Sequence, residues 1–271
     1  MRRGSSAAVL LWVAVAATVA FFAGQAAAPE SALYSRLLSA RAIGWIGALP
    51  KATFLALAAV VGWRVGGRFG ARNPSATAWR FYGVALGMLF LGQAVLTWYM
   101  ARGAGTVFPS IGDLFFVAGS LLLVGALVAF LRAYAASGFP LAPAGQLWTV
   151  GVVATLLGAA VVVPLLRPLL AAAAPPLEKA LNVAYPTLDF LMLVPAALLL
   201  WMGLRFRGGH VARVATALVA GVLFTTVADV LFGYFSSLDR VDLGAAVDAL
   251  YLLAYGCLAA APLYQSELLD G

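Results

Sequence analysis

Residues 212–235 read ARVATALVAGVLFTTVADVLFGYF, and they decide what kind of chain this is. After Arg213 at its start, the stretch carries a single charged side chain, Asp229. Its length meets the ~20 residues an α-helix needs to cross the hydrocarbon core of a bilayer. Backbone in hydrocarbon must bond internally, so a run of this kind reads as a transmembrane helix. Asp229 stands against that background. A carboxylate in hydrocarbon costs several kcal/mol unless it is paired, capped or solvated.

Seven further runs of similar length surround it, at about 7–28, 43–65, 80–101, 111–134, 146–167, 186–204 and 244–263. The chain is 64% hydrophobic and 10% charged, against roughly 25% charged in a soluble domain. So little charge cannot cover a water-soluble surface. The expected fold is an all-α, polytopic membrane helix bundle of about eight spans, one domain over residues 1–271. The first run follows Met1-Arg2-Arg3 and ends in Ala26-Ala27-Ala28, as a signal peptide would. Its apolar core is longer than a signal core, which favours a retained span. Pro50-Lys51 interrupts the second run, so 33–49 is alternatively an interfacial segment ahead of a short span from Pro50.

The formal net charge of +7 is spread over short connections. It reads as topology signal, not as a nucleic-acid surface. With the N-terminus inside, inner segments hold Arg2, Arg3, Arg64, Arg68, Arg72, Arg80, Arg132, Arg205, Arg207 and Arg213. Outer segments hold Arg36, Arg41, Arg102, Arg167, Lys179 and Arg240. The bias puts both termini in the cytoplasm. Trp12, Trp45, Trp63, Trp79, Trp98, Trp148 and Trp201 all fall near span ends, where amphipathic rings settle at the interface.

Three more aspartates share the predicament of Asp229: Asp113, Asp189 and Asp248. Phe108-Pro109-Ser110-Ile111-Gly112-Asp113 opens the fourth span and Tyr185-Pro186-Thr187-Leu188-Asp189 the sixth, while Asp248 lies near the start of the eighth. The last six spans therefore read as three diverged helical hairpins in one orientation. The plain reading of Asp113 is a capping box with Ser110, and Thr187 with Asp189 offers the same for the sixth span. Asp229 resists that reading, because it lies towards the C-terminal end of its helix, where the dipole disfavours negative charge. All four fall in the outer half. Gln93, Thr97, Asn182, Tyr185, Thr225, Thr226, Tyr251 and Tyr255 share that depth. Lys51 reaches it too, either to pair with a carboxylate or to snorkel to the interface. The expected site is an outward-facing polar cavity for a ligand or cation. Its candidate residues are Asp229, Asp113, Asp189, Asp248, Lys51, Gln93, Tyr185 and Tyr251.

Much chemistry is missing. One cysteine, Cys257, excludes a disulfide within the chain, and one histidine, His210, excludes a bis-histidine haem within it. Nucleophile elbow, Walker loop, zinc-protease and dinucleotide signatures are all lacking. No catalytic residue, metal site or cofactor is expected. Cys257 reads as an inert small residue and His210 as a solvated loop residue. Gly62-x-x-x-Gly66 and Gly83-x-x-x-Gly87 allow close helix contact, within the chain or along a homodimer seam.

Phe108-Pro109-Ser110-x-x-Asp113-Leu114-Phe115, Tyr185-Pro186-x-x-Asp189-Phe190, Ala228-Asp229-Val230-Leu231-Phe232-x-Tyr234 and Asp248-Ala249-Leu250-Tyr251-Leu252-Leu253-Ala254-Tyr255 form an ordered set, followed by Ala259-Ala260-Ala261-Pro262. In order and spacing the set resembles the multi-helix membrane region ahead of diguanylate cyclase (GGDEF) and EAL phosphodiesterase domains in bacterial signalling proteins. The resemblance covers most of the chain from about residue 80. It implies a sensory module of the bacterial inner membrane with a cytoplasmic C-terminus. The sequence holds no cyclase, phosphodiesterase or kinase domain, so output is expected through a partner protein. The expected function is a non-catalytic sensory or ligand-binding module in the lipid bilayer. The alternatives are a proton- or ion-coupled transporter and an accessory subunit of a larger membrane complex.

Overall fold

The computed structural model describes residues 3–70, 72–104, 107–137, 143–171, 175–204, 209–237 and 243–270. Eight helices in it are long and apolar enough to cross a membrane. They are α1 (Arg3–Ala27), α2 (Ala40–Arg68), α3 (Pro74–Ala101), α4 (Ile111–Ala136), α5 (Ala144–Ala171), α6 (Pro176–Leu204), α7 (His210–Ser237) and α8 (Gly244–Asp270). A single wide turn, Leu33–Leu37, lies between α1 and α2, tied down by the Tyr34 hydroxyl donating to the Phe21 carbonyl. The chain is a multi-pass helical membrane protein. Of the basic residues that set the expected orientation, Arg2, Arg205, Arg207 and Arg240 lie outside the described residues.

Local chemistry explains most helix ends. Ser39, Asn73 and Ser110 cap α2, α3 and α4 by accepting the first free backbone N–H groups. α2 is one continuous helix through Pro50, in keeping with the expected span at 43–65 and not with its interfacial alternative. Two expectations need correction. α6 starts at Pro176, ten residues before the expected Pro186, with proline at its start and Glu178 in its first turn. Pro186 and Pro195 sit inside it, as bilayer helices allow. His210 opens α7 instead of lying in a loop.

Consecutive helices pack as neighbours, except that α4 reaches past α5 to pack on α6. With α8 against α2 and α7, the helices α2, α3, α4, α6, α7 and α8 close a ring; α1 lies against α8, and α5 flanks α6. Small residues permit the close approaches. A methyl added at Gly83 would lie 2.7 Å from the Trp63 backbone nitrogen, and one at Gly62 would lie 3.5 Å from the Gly83 Cα. Both glycine pairs thus face the α2–α3 contact within the chain. Trp63, Trp98, Trp148 and Trp201 are exposed on the bundle surface, as an interfacial belt requires. Trp79 is not: it is buried edge-on against Tyr82 and Phe130, at 5.5 and 4.9 Å between ring centres.

α8 is the most enclosed helix, buried continuously from Ala254 to Pro262. Pro262 has no N–H, so the carbonyl one turn back, Leu258, loses its helical donor. The fully buried Tyr82 of α3 supplies the replacement, its hydroxyl donating to Leu258 O at 2.6 Å. Lower down, Arg68 at the end of α2 binds the last turn of α8, at 2.9 Å from Leu269 O and 2.7 Å from Asp270 Oδ1. Trp12 of α1 donates to the Tyr264 hydroxyl at 2.7 Å.

Tyr82→Phe strands a buried carbonyl and is expected to cost about 1–3 kcal/mol. Pro262→Ala restores a backbone donor at that position. Thermal unfolding in detergent should therefore show Tyr82→Phe strongly destabilised alone and mostly recovered in the double variant. Equal losses in both backgrounds would contradict this pairing.

Candidate functional site

Asp113 caps α4 as the sequence implied. Its Oδ2 accepts from the Ser110 backbone N–H at 2.6 Å and from the Ser110 hydroxyl at 3.0 Å. Its other oxygen does something a cap does not require. Oδ1 accepts from the Tyr185 hydroxyl of α6 at 2.6 Å. Because α6 begins ten residues early, Tyr185 lies well inside it, and the helix projects about 14 Å beyond the level of this contact.

The same early start removes the capping reading of Asp189. It sits near the middle of α6, 4% exposed, and Thr187 returns its hydroxyl to the Val183 carbonyl at 2.7 Å. The helix register gives Asp189 its partner. Gly203 of α6 packs against Ala215 of α7, where a methyl at Gly203 would lie 2.7 Å from the Ala215 Cβ. A fourteen-residue step from that contact reaches Asp189 back along α6 and Asp229 forward along antiparallel α7. Fourteen residues is close to four turns, so both carboxyls stay on the contacting faces. That register turns the two carboxyl groups toward one another across the α6–α7 contact. Two carboxyl groups brought together bond each other when one of them keeps its proton.

Asp229 also accepts from the Tyr251 hydroxyl of α8. Lys51 of α2 lies over the other side of Tyr251, its Nζ 5.7 Å from the ring centre. The Lys51 ammonium pairs with Asp248 Oδ1 at 2.6 Å, so it bonds inside the bundle and does not snorkel. The side chains of Lys51 and Asp248 are 14% and 36% exposed, making this pair the more open end of the system. Tyr255, one turn below Tyr251, lies in the field of both Asp229 and Asp248. The result is a chain of contacts running Ser110, Asp113, Tyr185, then Asp189, Asp229, Tyr251, then Lys51 and Asp248. It ties together α2, α4, α6, α7 and α8.

Seven of the eight residues singled out from sequence lie along this chain. Gln93 does not: it is buried on α3 and bonds Thr97 of its own helix at 3.4 Å. The expected open cavity also needs correction, because these groups meet each other directly. A groove of about 580 Å³ lies elsewhere, between α4, α5 and α6, with an apolar lining that includes Leu131, Trp148, Val152 and Met202. Cys257 is a buried free thiol, and no cluster of three metal-ligating side chains occurs among the described residues. The three hairpins do pack as pairs. Their aspartates enter at different depths, in the first turn of α4, the second of α8 and the middle of α6. Sequence reading missed Arg68 and Tyr82, whose partners lie far along the chain on α8, and Tyr264 of α8, whose partner Trp12 lies on α1.

No protein-family model, curated protein or solved structure matches the chain. The arrangement itself is then the ground for a functional reading. It can hold and move protons, and it can hold a cation among carboxylate and hydroxyl oxygens.

Removing one partner of a half-buried ion pair leaves a charge stranded. Lys51→Met should lower stability by about 1–3 kcal/mol, tempered by the exposure of Asp248. Adding Asp248→Asn should return part of the loss. A double-mutant cycle read by thermal unfolding checks this; strict additivity would mean that the pair does not act as one.

Proposed function

We propose that this chain is a non-catalytic sensory or ligand-binding module of the bacterial cytoplasmic membrane, with both termini in the cytoplasm. Binding at the buried carboxylate–tyrosine system biases the helix arrangement and, through it, a partner protein. The observation that carries this reading is the Asp189–Asp229 pair between α6 and α7, joined to α8 by Tyr251. A ligand that competes for any of these bonds necessarily favours one placement of three helices over another, which is what a sensor requires. α8 runs unbroken from Asp248 to the Arg68 contact at its far end, so displacement at one end reaches the other. The resemblance to membrane regions preceding GGDEF and EAL domains supports the same reading, as does the excess of arginine on the α8 C-terminal side.

Coupled transport needs polar access from both faces. Between the carboxyl pair and the Arg68 end, α6, α7 and α8 are packed with Met192, Ala196, Leu199, Leu218, Val222 and Leu258. That packing favours a sensor over a carrier.

Spin labels at Arg72→Cys and Gln265→Cys, in a Cys257→Ser background, report the far end of the bundle. A panel of inorganic cations, amino acids, polyamines and organic anions at fixed ionic strength should include a solute that raises the melting temperature and shifts this distance. Asp229→Asn should abolish both responses while leaving the protein folded. Protein that responds to nothing, or an unchanged response in Asp229→Asn, would contradict the proposal. Solute-driven proton flux in liposomes that Asp229→Asn abolishes would favour transport instead.

A further inference from the structure

The α2–α3 hairpin gathers positive charge at the Arg68 end of the bundle. Arg64 and Arg68 lie one turn apart near the end of α2, and Arg80 lies in the second turn of α3. Arg68 is committed to α8 through Asp270 at 2.7 Å. Arg64 and Arg80 are exposed, and neither has an ion-pair or hydrogen-bond partner among the described residues. A guanidinium keeps its charge at every physiological pH, so at the edge of hydrocarbon it calls for water or an anion.

A groove of about 280 Å³ leads to them, lined by Ala59, Val60, Trp63 and Arg64 of α2 and by Gly83 and Val84 of α3. Its floor is the close approach of the two backbones: a methyl added at Gly83 would lie 3.0 Å from the Ala59 carbonyl oxygen. Its walls face outward, with Val60 50%, Trp63 54% and Val84 37% exposed. Both arginines sit at one end of it. Arg64 belongs to the lining, one turn beyond Val60. Arg80 stands one turn before Val84 and packs on α2 at Gly66, where an added methyl would lie 2.8 Å from Arg80 Cγ. Gly66 is two residues past Arg64, so the two arginines spring from levels about 3 Å apart. The larger groove between α4, α5 and α6 has no charged residue in its lining.

We propose that the α2–α3 groove holds one anionic phospholipid, its phosphate bridged by Arg64 and Arg80 and an acyl chain lying along Val60, Trp63 and Val84. Guanidinium groups take phosphate oxygens in paired, charge-assisted hydrogen bonds. Basic pockets between transmembrane helices bind anionic headgroups on the cytoplasmic side, where the proposed orientation puts this end. The Trp63 ring suits the headgroup level. A second copy of the chain suits the groove less well, because a two-fold contact here sets each chain's arginines beside the other's. The site goes beyond the sensory reading and does not depend on it: Lys51, at the open end of the carboxyl system, lies about 20 Å back along α2 from Arg64.

Delipidated protein in detergent is titrated with phosphatidylglycerol or with phosphatidylcholine of the same chains, and native mass spectrometry counts the bound lipid. One phosphatidylglycerol should bind, about tenfold more tightly than phosphatidylcholine. Arg64→Gln combined with Arg80→Gln should abolish that preference. Arg132→Gln, at an exposed arginine of the same end outside the groove, should leave it intact. Val84→Trp fills the groove and keeps both arginines, so it should weaken both lipids alike. All four side chains are exposed, and unchanged melting temperatures before lipid is added should show that the fold is kept. Equal binding of the two lipids, or a preference that survives loss of both arginines, overturns the proposal. So does full competition by glycerol phosphate, which marks a site for a soluble anion, or a dimer that excludes lipid. None of these results bears on the Asp229→Asn test of the sensory reading.

Discussion

Hydrocarbon offers no hydrogen bonds, and the interior of this bundle is organised around that fact. A polar group placed inside is satisfied only by a partner on another helix or its own. α8 collects most of these solutions. Its first turns hold Asp248 and Tyr251, its middle holds the Leu258 carbonyl freed by Pro262, and its last turn holds the groups that Arg68 binds. Removing any one partner does not merely delete a contact. It leaves a group that water cannot reach, and that asymmetry makes the polar positions more informative than the apolar majority.

The carboxyl system extends the same principle from stability to response. Asp113 could have capped α4 and stopped there, yet its second oxygen reaches α6. Asp189 and Asp229 meet across the α6–α7 contact, and a proton held between them would form a joint that competes directly with any cation or donor arriving from outside. A joint of this kind couples occupancy to helix position without any moving domain. The link to function is an inference from chemistry: groups whose bonds can be exchanged sit where three helices meet, with apolar packing between them and the Arg68 end.

The fold was readable because its rules are coarse. Eight apolar runs of that length read as spans, and α3, α4, α7 and α8 each begin or end within two residues of the expected bounds. What failed was the reading of proline. Pro186 looked like a helix start and Pro50 left an interfacial alternative open, yet both lie inside helices, because neighbours in a bundle can satisfy the carbonyls they free. From the site, the four aspartates stood out as isolated charges in apolar runs. Their pairing did not, because Asp189 meets Asp229 through a register set by Gly203 against Ala215, and nothing local in sequence encodes that contact. Gln93 shared the right depth and the wrong face. Tyr82 was invisible for the opposite reason: its partner is a backbone atom on a helix 176 residues away.

The central claim is that α6 and α7 are joined by one proton held between two carboxyls. Infrared spectroscopy of the protein in lipid, in buffer free of sodium and potassium, tests it directly through the C=O stretch of a protonated carboxyl. The account predicts such a band in the wild type, lost in Asp189→Asn and in Asp229→Asn alike, and retained in Asp248→Asn. A spectrum without the band, or a band indifferent to both substitutions, would contradict it.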